Sequence, residues 1–144
     1  MNANKNIDWD NLGFNAHNTR SMFIANWDPI GEWDIKGLVP YGDISLSPAS
    51  TVLNYGQGIF EGTKAYLSSK DRVVLFRLEE NAKRFNSSSK RLCIPEIPRD
   101  LFINAVKDTV ADNLDYMPKK DKGSIYIRPL AFGVGPMLGV KPSD

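Results

Sequence analysis

The amino-acid sequence predicts an α+β fold, a largely antiparallel sheet with two helices packed on it. Three observations carry that expectation. Extended apolar runs dominate up to residue 77, helical spacing takes over from Leu78 to near Asn113, and one more extended run follows at Ser124–Phe132.

The elements follow in order. Ser21 to Trp27 and Glu32 to Ile35 alternate, and Asp28-Pro29-Ile30-Gly31 between them has the chemistry of a tight turn, so residues 20–36 predict a β-hairpin. Tyr41 to Leu46 reads as a short extended piece closed by Ser47-Pro48. Gly58 to Leu67 and Arg72 to Arg77 read as a strand pair joined by the polar turn Ser68-Ser69-Lys70-Asp71. From Leu78 onward, Leu78, Ala82, Phe85 and Leu92 fall near one helical face, and Glu79 and Glu80 suit the first turn. Pro95 and Pro98 end that helix. A second helix, capped at or near Asp100, turns Leu101, Phe102, Ala105, Val106 and Val110 inward and ends near Asn113. Met117 to Gly123 is a basic polar turn, and Ser124 to Phe132 predicts one late strand.

Composition narrows the function classes. A length of 144 residues suits one compact domain, and 42% apolar with 24% charged residues is enough for a core. A net charge of +1 argues against a dedicated nucleic-acid domain. The single Cys93 excludes an internal disulfide, and with one histidine, His17, the chain has too few soft ligands for most structural metal sites. The polar first eighteen residues lack a basic and an apolar targeting region, and no run approaches the ~18 apolar residues of a membrane span. A cytoplasmic, reduced, soluble protein is expected, without a nucleic-acid or membrane partner.

Generic chemical motifs fail. Gly56-Gln57-Gly58-Ile59-Phe60-Glu61-Gly62 has its third glycine one residue late for a dinucleotide loop, and no helix follows. Gly133 to Gly139 fails in the same way, and His17 reads as a surface or capping residue. Tyr126 and Arg128 share one strand face. They fit either recognition of a carboxylate, by a phenol beside a guanidinium fork, or a half-exposed edge with a surface arginine. Arg77, Lys83, Arg84, Lys90 and Arg91 cluster in and around the first helix. A solvated face, a nucleic-acid patch and one arginine turned to a phosphate compete there, and spacing favours the solvated face.

Taken together, the ordered segments resemble the branched-chain amino-acid aminotransferases, class IV (fold type IV) pyridoxal-phosphate enzymes. The likeness runs from Ile7-Asp8-Trp9 to Pro142. Its strongest blocks are Leu53 to Tyr66 (LNYGQGIFEGTKAY), Leu75-Phe76-Arg77 with Asn81-Ala82-Lys83-Arg84-Phe85, Arg91 to Pro95, Gly123 to Pro129 (GSIYIRP) and Leu138-Gly139-Val140.

The resemblance implies roles. Arg84 matches the arginine that binds the cofactor phosphate, against the solvated-face reading. Tyr55, Phe60 and Tyr126 match residues lining the substrate pocket, Arg128 with Tyr126 the group orienting substrate carboxylates, and Phe14 an aromatic on the pocket wall. It further implies pyridoxal 5'-phosphate as cofactor, branched-chain amino acids and 2-oxoglutarate as substrates, and a homodimer. No lysine of the chain matches the Schiff-base lysine, which lies in a second, larger domain in that family. Residues 1–144 are therefore expected to be the N-terminal small domain, cut short, with no catalytic residue of its own and inactive alone. Two alternatives stay open: a non-catalytic binding or dimerisation module derived from this domain, and a fragment of another class IV enzyme such as a D-amino-acid aminotransferase.

Overall fold

The computed structural model describes residues 7–11, 13, 17–28, 30–139, 141 and 142. It opens with the expected hairpin, β1 (Ser21–Trp27) against β2 (Trp33–Pro40), whose second strand runs beyond the predicted end. Gly31 N–H donates to Asp28 O at 3.1 Å, and Asp28 N–H to Glu32 O at 2.9 Å, closing the turn. The register shifts between Ile24 and Ala25, opposite Gly37 at φ 74°, a bulge whose positive φ suits glycine. Trp27 and Trp33 close the hairpin edge to face at 5.4 Å.

The stretch after Ser47-Pro48 reads as loop in the sequence but holds a helical turn, α1 (Thr51–Tyr55), ended by Gly56 at φ 67°. Glycine adopts this left-handed cap without the Cβ clash that other residues meet. Ser50 and Thr51 are buried, and Ser50 Oγ donates to Ser47 O at 2.7 Å.

The two expected strands Gly58–Leu67 and Ser124–Phe132 each break in two. β3 (Gly58–Phe60) pairs with β7 (Leu130–Phe132), while β4 (Thr63–Leu67) pairs with both β5 (Val73–Leu75) and β6 (Ile125–Ile127). The pairings Phe60↔Leu130 and Thr63↔Ile127 keep one register, so Glu61-Gly62 faces Arg128-Pro129 across the interruption. Pro129 has no N–H to continue the ladder, and only the Glu61 N–H to Pro129 O bond at 3.0 Å spans the gap. Instead of one sheet, the described residues form three small antiparallel ones, β1-β2, β3-β7 and β5-β4-β6.

Helices α2 (Leu78–Arg91) and α3 (Arg99–Asp112) supply the other layer. Leu78, Ala82 and Phe85 of α2 and Phe102, Ile103 and Val106 of α3 join Ile97 in the buried core. Ile59, Leu75, Ile127 and Ala131 of the sheets pack against it. Leu92 does not take part: it is 38% exposed, because α2 ends at Arg91 and Cys93, at φ 53°, turns the chain away. The second helix starts at Arg99 behind Pro98 rather than at an Asp100 cap, and Ile103 is buried where Ala105 and Leu101 are only half-buried. A 3-10 turn, Leu114–Tyr116, follows it.

Asn113 ties the helical layer to β1. Its Oδ1 accepts from Arg20 N at 2.8 Å and Ser21 N at 3.2 Å, and its Nδ2 donates to Ser21 O at 3.1 Å and Thr109 O at 2.7 Å. A buried amide so fully paired orders the joint without leaving a polar group stranded. Among the described residues no helix is long and apolar enough to cross a membrane.

Candidate functional site

The broken ribbon is where the candidate side chains gather. Phe60 ends β3, Tyr126 is central in β6, and Arg128 stands in the interruption beside Pro129. Tyr126 and Arg128 do share a face: Arg128 Nη2 donates to the Tyr126 hydroxyl at 3.2 Å. The Arg128 guanidinium lies 4.8 Å from the Phe60 ring centroid and 5.3 Å from that of Tyr126. Two aromatic faces and one phenol therefore hold an exposed cation in place. Phe60 is itself 64% exposed, which leaves an open apolar wall beside a fixed positive charge.

Tyr126 reaches the glycine across the ribbon. A Cβ on Gly62 would lie 2.6 Å from the Tyr126 hydroxyl and 3.2 Å from ring carbons, so any larger residue there must displace the phenol. Gly62 O accepts from Asn81 Nδ2 at 3.1 Å, which ties this point to α2.

Arg84 lies one turn further along α2. Its Nε donates to Glu61 Oε2 at 3.0 Å and its Nη2 to Glu61 Oε1 at 3.1 Å, a two-pronged ion pair between helix and ribbon. The arginine side chain is 60% exposed, its partner only 15%. Arg77, Lys83 and Lys90 differ: they meet the half-buried Glu80 and the exposed Glu96 at 4.0, 2.8 and 3.1 Å, as a solvated face does. The solvated reading thus holds for those three, while Arg84 is anchored to the sheet. An open cleft of about 650 Å³ runs between helix and ribbon, lined by Gly62, Thr63, Lys64, Tyr66, Phe76, Arg77, Glu80, Asn81, Arg84 and Tyr126.

Burial by itself pushes the Glu61 carboxyl up, but the Arg84 guanidinium, the Gly62 N–H and Asn81 together outweigh it and hold the carboxyl below its ordinary value. The Arg84 guanidinium is correspondingly raised by Glu61. The sign for stability follows: a depressed carboxyl pKa stabilises the folded chain fully above the ordinary value of 4.5, and that contribution disappears as pH falls through the lower folded value. In thermal melts, the stability gap between the wild-type chain and Glu61→Gln is expected to be level above pH 4.5 and to shrink below it. A gap that widened in acid would contradict the assignment.

The structure brings Arg84 and Tyr126 to one cleft and joins Phe60 and Arg128 to it through Tyr126. Tyr55 stands apart, its hydroxyl donating to Leu138 O at 2.5 Å. Phe14 lies outside the described residues, and His17 is exposed. Of the two glycine-rich stretches, Gly56–Gly62 enters β3, and Gly133–Gly139 runs irregularly beside α1. Among the described residues no cluster of metal-ligating side chains occurs. Glu61, Gly62 and Asn81 are the participants to which the residue pattern assigns no role. Glu61 and Arg84 are 23 residues apart in sequence, and the packing of α2 against the ribbon brings them together.

The fold is that of the class IV aminotransferases. A branched-chain aminotransferase from Thermoproteus uzoniensis, solved with norvaline, superposes with a TM-score of 0.63 at 27% identity, covering 83% of this chain and 36% of that one. The branched-chain amino acid aminotransferase of Thermobaculum terrenum, solved in its PLP form, gives a TM-score of 0.60 at 25% identity, over 83% of this chain and 34% of that chain. The sequence narrows the kinship. The chain is 44% identical over 137 residues to the chloroplastic branched-chain-amino-acid aminotransferase 2 of Arabidopsis thaliana, a match covering 95% of this chain and 35% of that protein. The chain is thus homologous to the branched-chain-amino-acid aminotransferases along nearly its whole length, and spans about a third of the length of the relatives it matches. No family model matches it.

Proposed function

We propose that these residues form the N-terminal, substrate-side domain of a branched-chain amino-acid aminotransferase, moving an amino group between Leu, Ile or Val and 2-oxoglutarate. The observation that carries this reading is the meeting of Arg84 and Tyr126 on one cleft, with Arg128 braced against Tyr126 and Phe60. A phosphate-sized anion needs directed N–H donors and excess positive charge, and a branched side chain needs an apolar wall. The cleft offers Lys64, Arg77 and Arg84 for the first, and Phe60 stands beside it for the second.

The donor set therefore fits pyridoxal phosphate, with Arg84 on the phosphate. When bound, that cofactor supplies the electron sink for amino transfer. The chain's own residues do the rest of the local work: Arg128 and Tyr126 orient a substrate carboxylate, and Phe60 excludes water from an aliphatic side chain. The resemblance alone assigns Tyr55 and Phe14 to the pocket wall; the Tyr55 hydroxyl bonds Leu138 O, away from the cleft of Arg84 and Tyr126. The lysine that carries the cofactor belongs to sequence outside these residues, so the 144-residue polypeptide alone is inactive, and the working enzyme is a homodimer. The exposed thiol of Cys93 suits a reducing, cytoplasmic setting, although the plant relative is chloroplastic.

The test is glutamate formation from leucine and 2-oxoglutarate with pyridoxal phosphate. Turnover is expected from the full-length protein and none from the 144-residue polypeptide. Turnover by the short chain, or its absence in the long one, would overturn the proposal. A finer check is Gly62→Ala. The added methyl, 2.6 Å from the Tyr126 hydroxyl, forces the phenol away from Arg128. Because Tyr126 is half exposed and free to swing, melting should change little while KM for 2-oxoglutarate rises several-fold. Unchanged KM would separate Tyr126 from substrate binding.

A further inference from the structure

We infer that Glu61 is a positioning residue that presents the free edge of the Arg84 guanidinium to a phosphate group; the inference rests on the function proposed above. A guanidinium carries five N–H donors in a rigid fork. Glu61 takes the Nε–H and one Nη2–H at 3.0 and 3.1 Å, leaving both Nη1 hydrogens and the second on Nη2 for another anion. The carboxylate thus occupies one edge of the fork and leaves the other.

Glu61 is itself held. Its Oε1 accepts from Gly62 N–H at 3.0 Å, and its side chain is mostly buried in the ribbon interruption. Arg77, the other arginine of the cleft, is exposed and faces the Glu80 carboxylate of the adjoining helix at 4.0 Å. Of these two arginines, Arg84 is the one bound to the sheet layer, so its guanidinium is placed relative to the β ribbon as well as the helix. The neighbouring Gly62 packs beneath the Tyr126 phenol. One dipeptide, Glu61-Gly62, therefore sets both the anion-binding end and the carboxylate-orienting end of the cleft, and fixes the distance between them.

The opposite role for a carboxylate this close is competition with an incoming phosphate, and the two roles give opposite results on its removal. In the full-length protein, Glu61→Gln keeps the shape, removes the charge, and is expected to weaken pyridoxal phosphate binding about tenfold while leaving pyridoxal, which lacks the phosphate, unchanged. Glu61→Asp, one methylene short of the fork, should fall between. In an Arg84→Ala background, Glu61→Gln should have no further effect, because its action runs through Arg84. Equal losses for both aldehydes would mean a merely structural role, and tighter pyridoxal phosphate binding would mean competition; either overturns the inference. Intact pyridoxal phosphate affinity in a wild-type protein that cannot transaminate leucine would instead sink the function reading alone.

Discussion

Phe85→Ala is expected to destabilise the chain by about 3–5 kcal/mol, the range for removing a buried phenyl ring from a packed core. Phe85 is 4% exposed and sits 5.3 Å from Phe102, ring centroid to centroid, where α2 meets α3. The loss combines the transfer energy of the ring with the cavity it leaves, and neighbours on two separate helices cannot collapse fully into that space. Domains of this size are stable by only about 5–15 kcal/mol, so a large part of the folded margin disappears. Urea titration with far-UV dichroism measures it. A shift below about 1 kcal/mol would mean that the helices do not meet through this ring.

Arg84→Ala is expected to weaken pyridoxal phosphate binding in the full-length protein by about ten- to a hundredfold, the worth of a charge-assisted hydrogen bond to an anion. The melting temperature should fall as well, because the mostly buried Glu61 carboxylate loses its partner. Arg84→Lys keeps the charge but not the fork. It cannot hold both Glu61 oxygens and a phosphate together, so it should restore only part of the affinity. Absorbance titration with the cofactor decides. Unchanged affinity would return Arg84 to the solvated face that its neighbours Lys83 and Lys90 occupy.

The helices are the elements that residue order shows most plainly. Leu78, Ala82 and Phe85 recur at the spacing of one helical face, and a helix is built from contacts three and four residues apart. The same locality explains the hairpin turn at Asp28–Gly31. It also explains the polar turn before β5, where Ser68 N–H meets Arg72 O at 2.8 Å. Leu92 misleads because apolar character continues one step past the end of α2 at Arg91, just before Cys93 turns the chain at φ 53°. The turn α1 escapes because five residues are too few for a period to show.

Within the site, Tyr126 and Arg128 can be placed on one face from strand alternation alone, and the resemblance singles out Arg84 and Phe60. Tyr55 lies outside the cleft that Arg84 and Tyr126 line, its hydroxyl engaged by Leu138 O.

By itself, then, the order of residues determined an α+β chain with two amphipathic helices, near-neutral charge and the blocks that mark its aminotransferase kinship. Tertiary structure alone decided that the long strands break opposite each other, at Glu61-Gly62 and Arg128-Pro129, and that Glu61 grips Arg84 across the break. The physical reason is reach. Periodicity reports contacts a few residues apart, whereas a strand register and a helix-to-sheet ion pair are settled only when distant segments pack against one another.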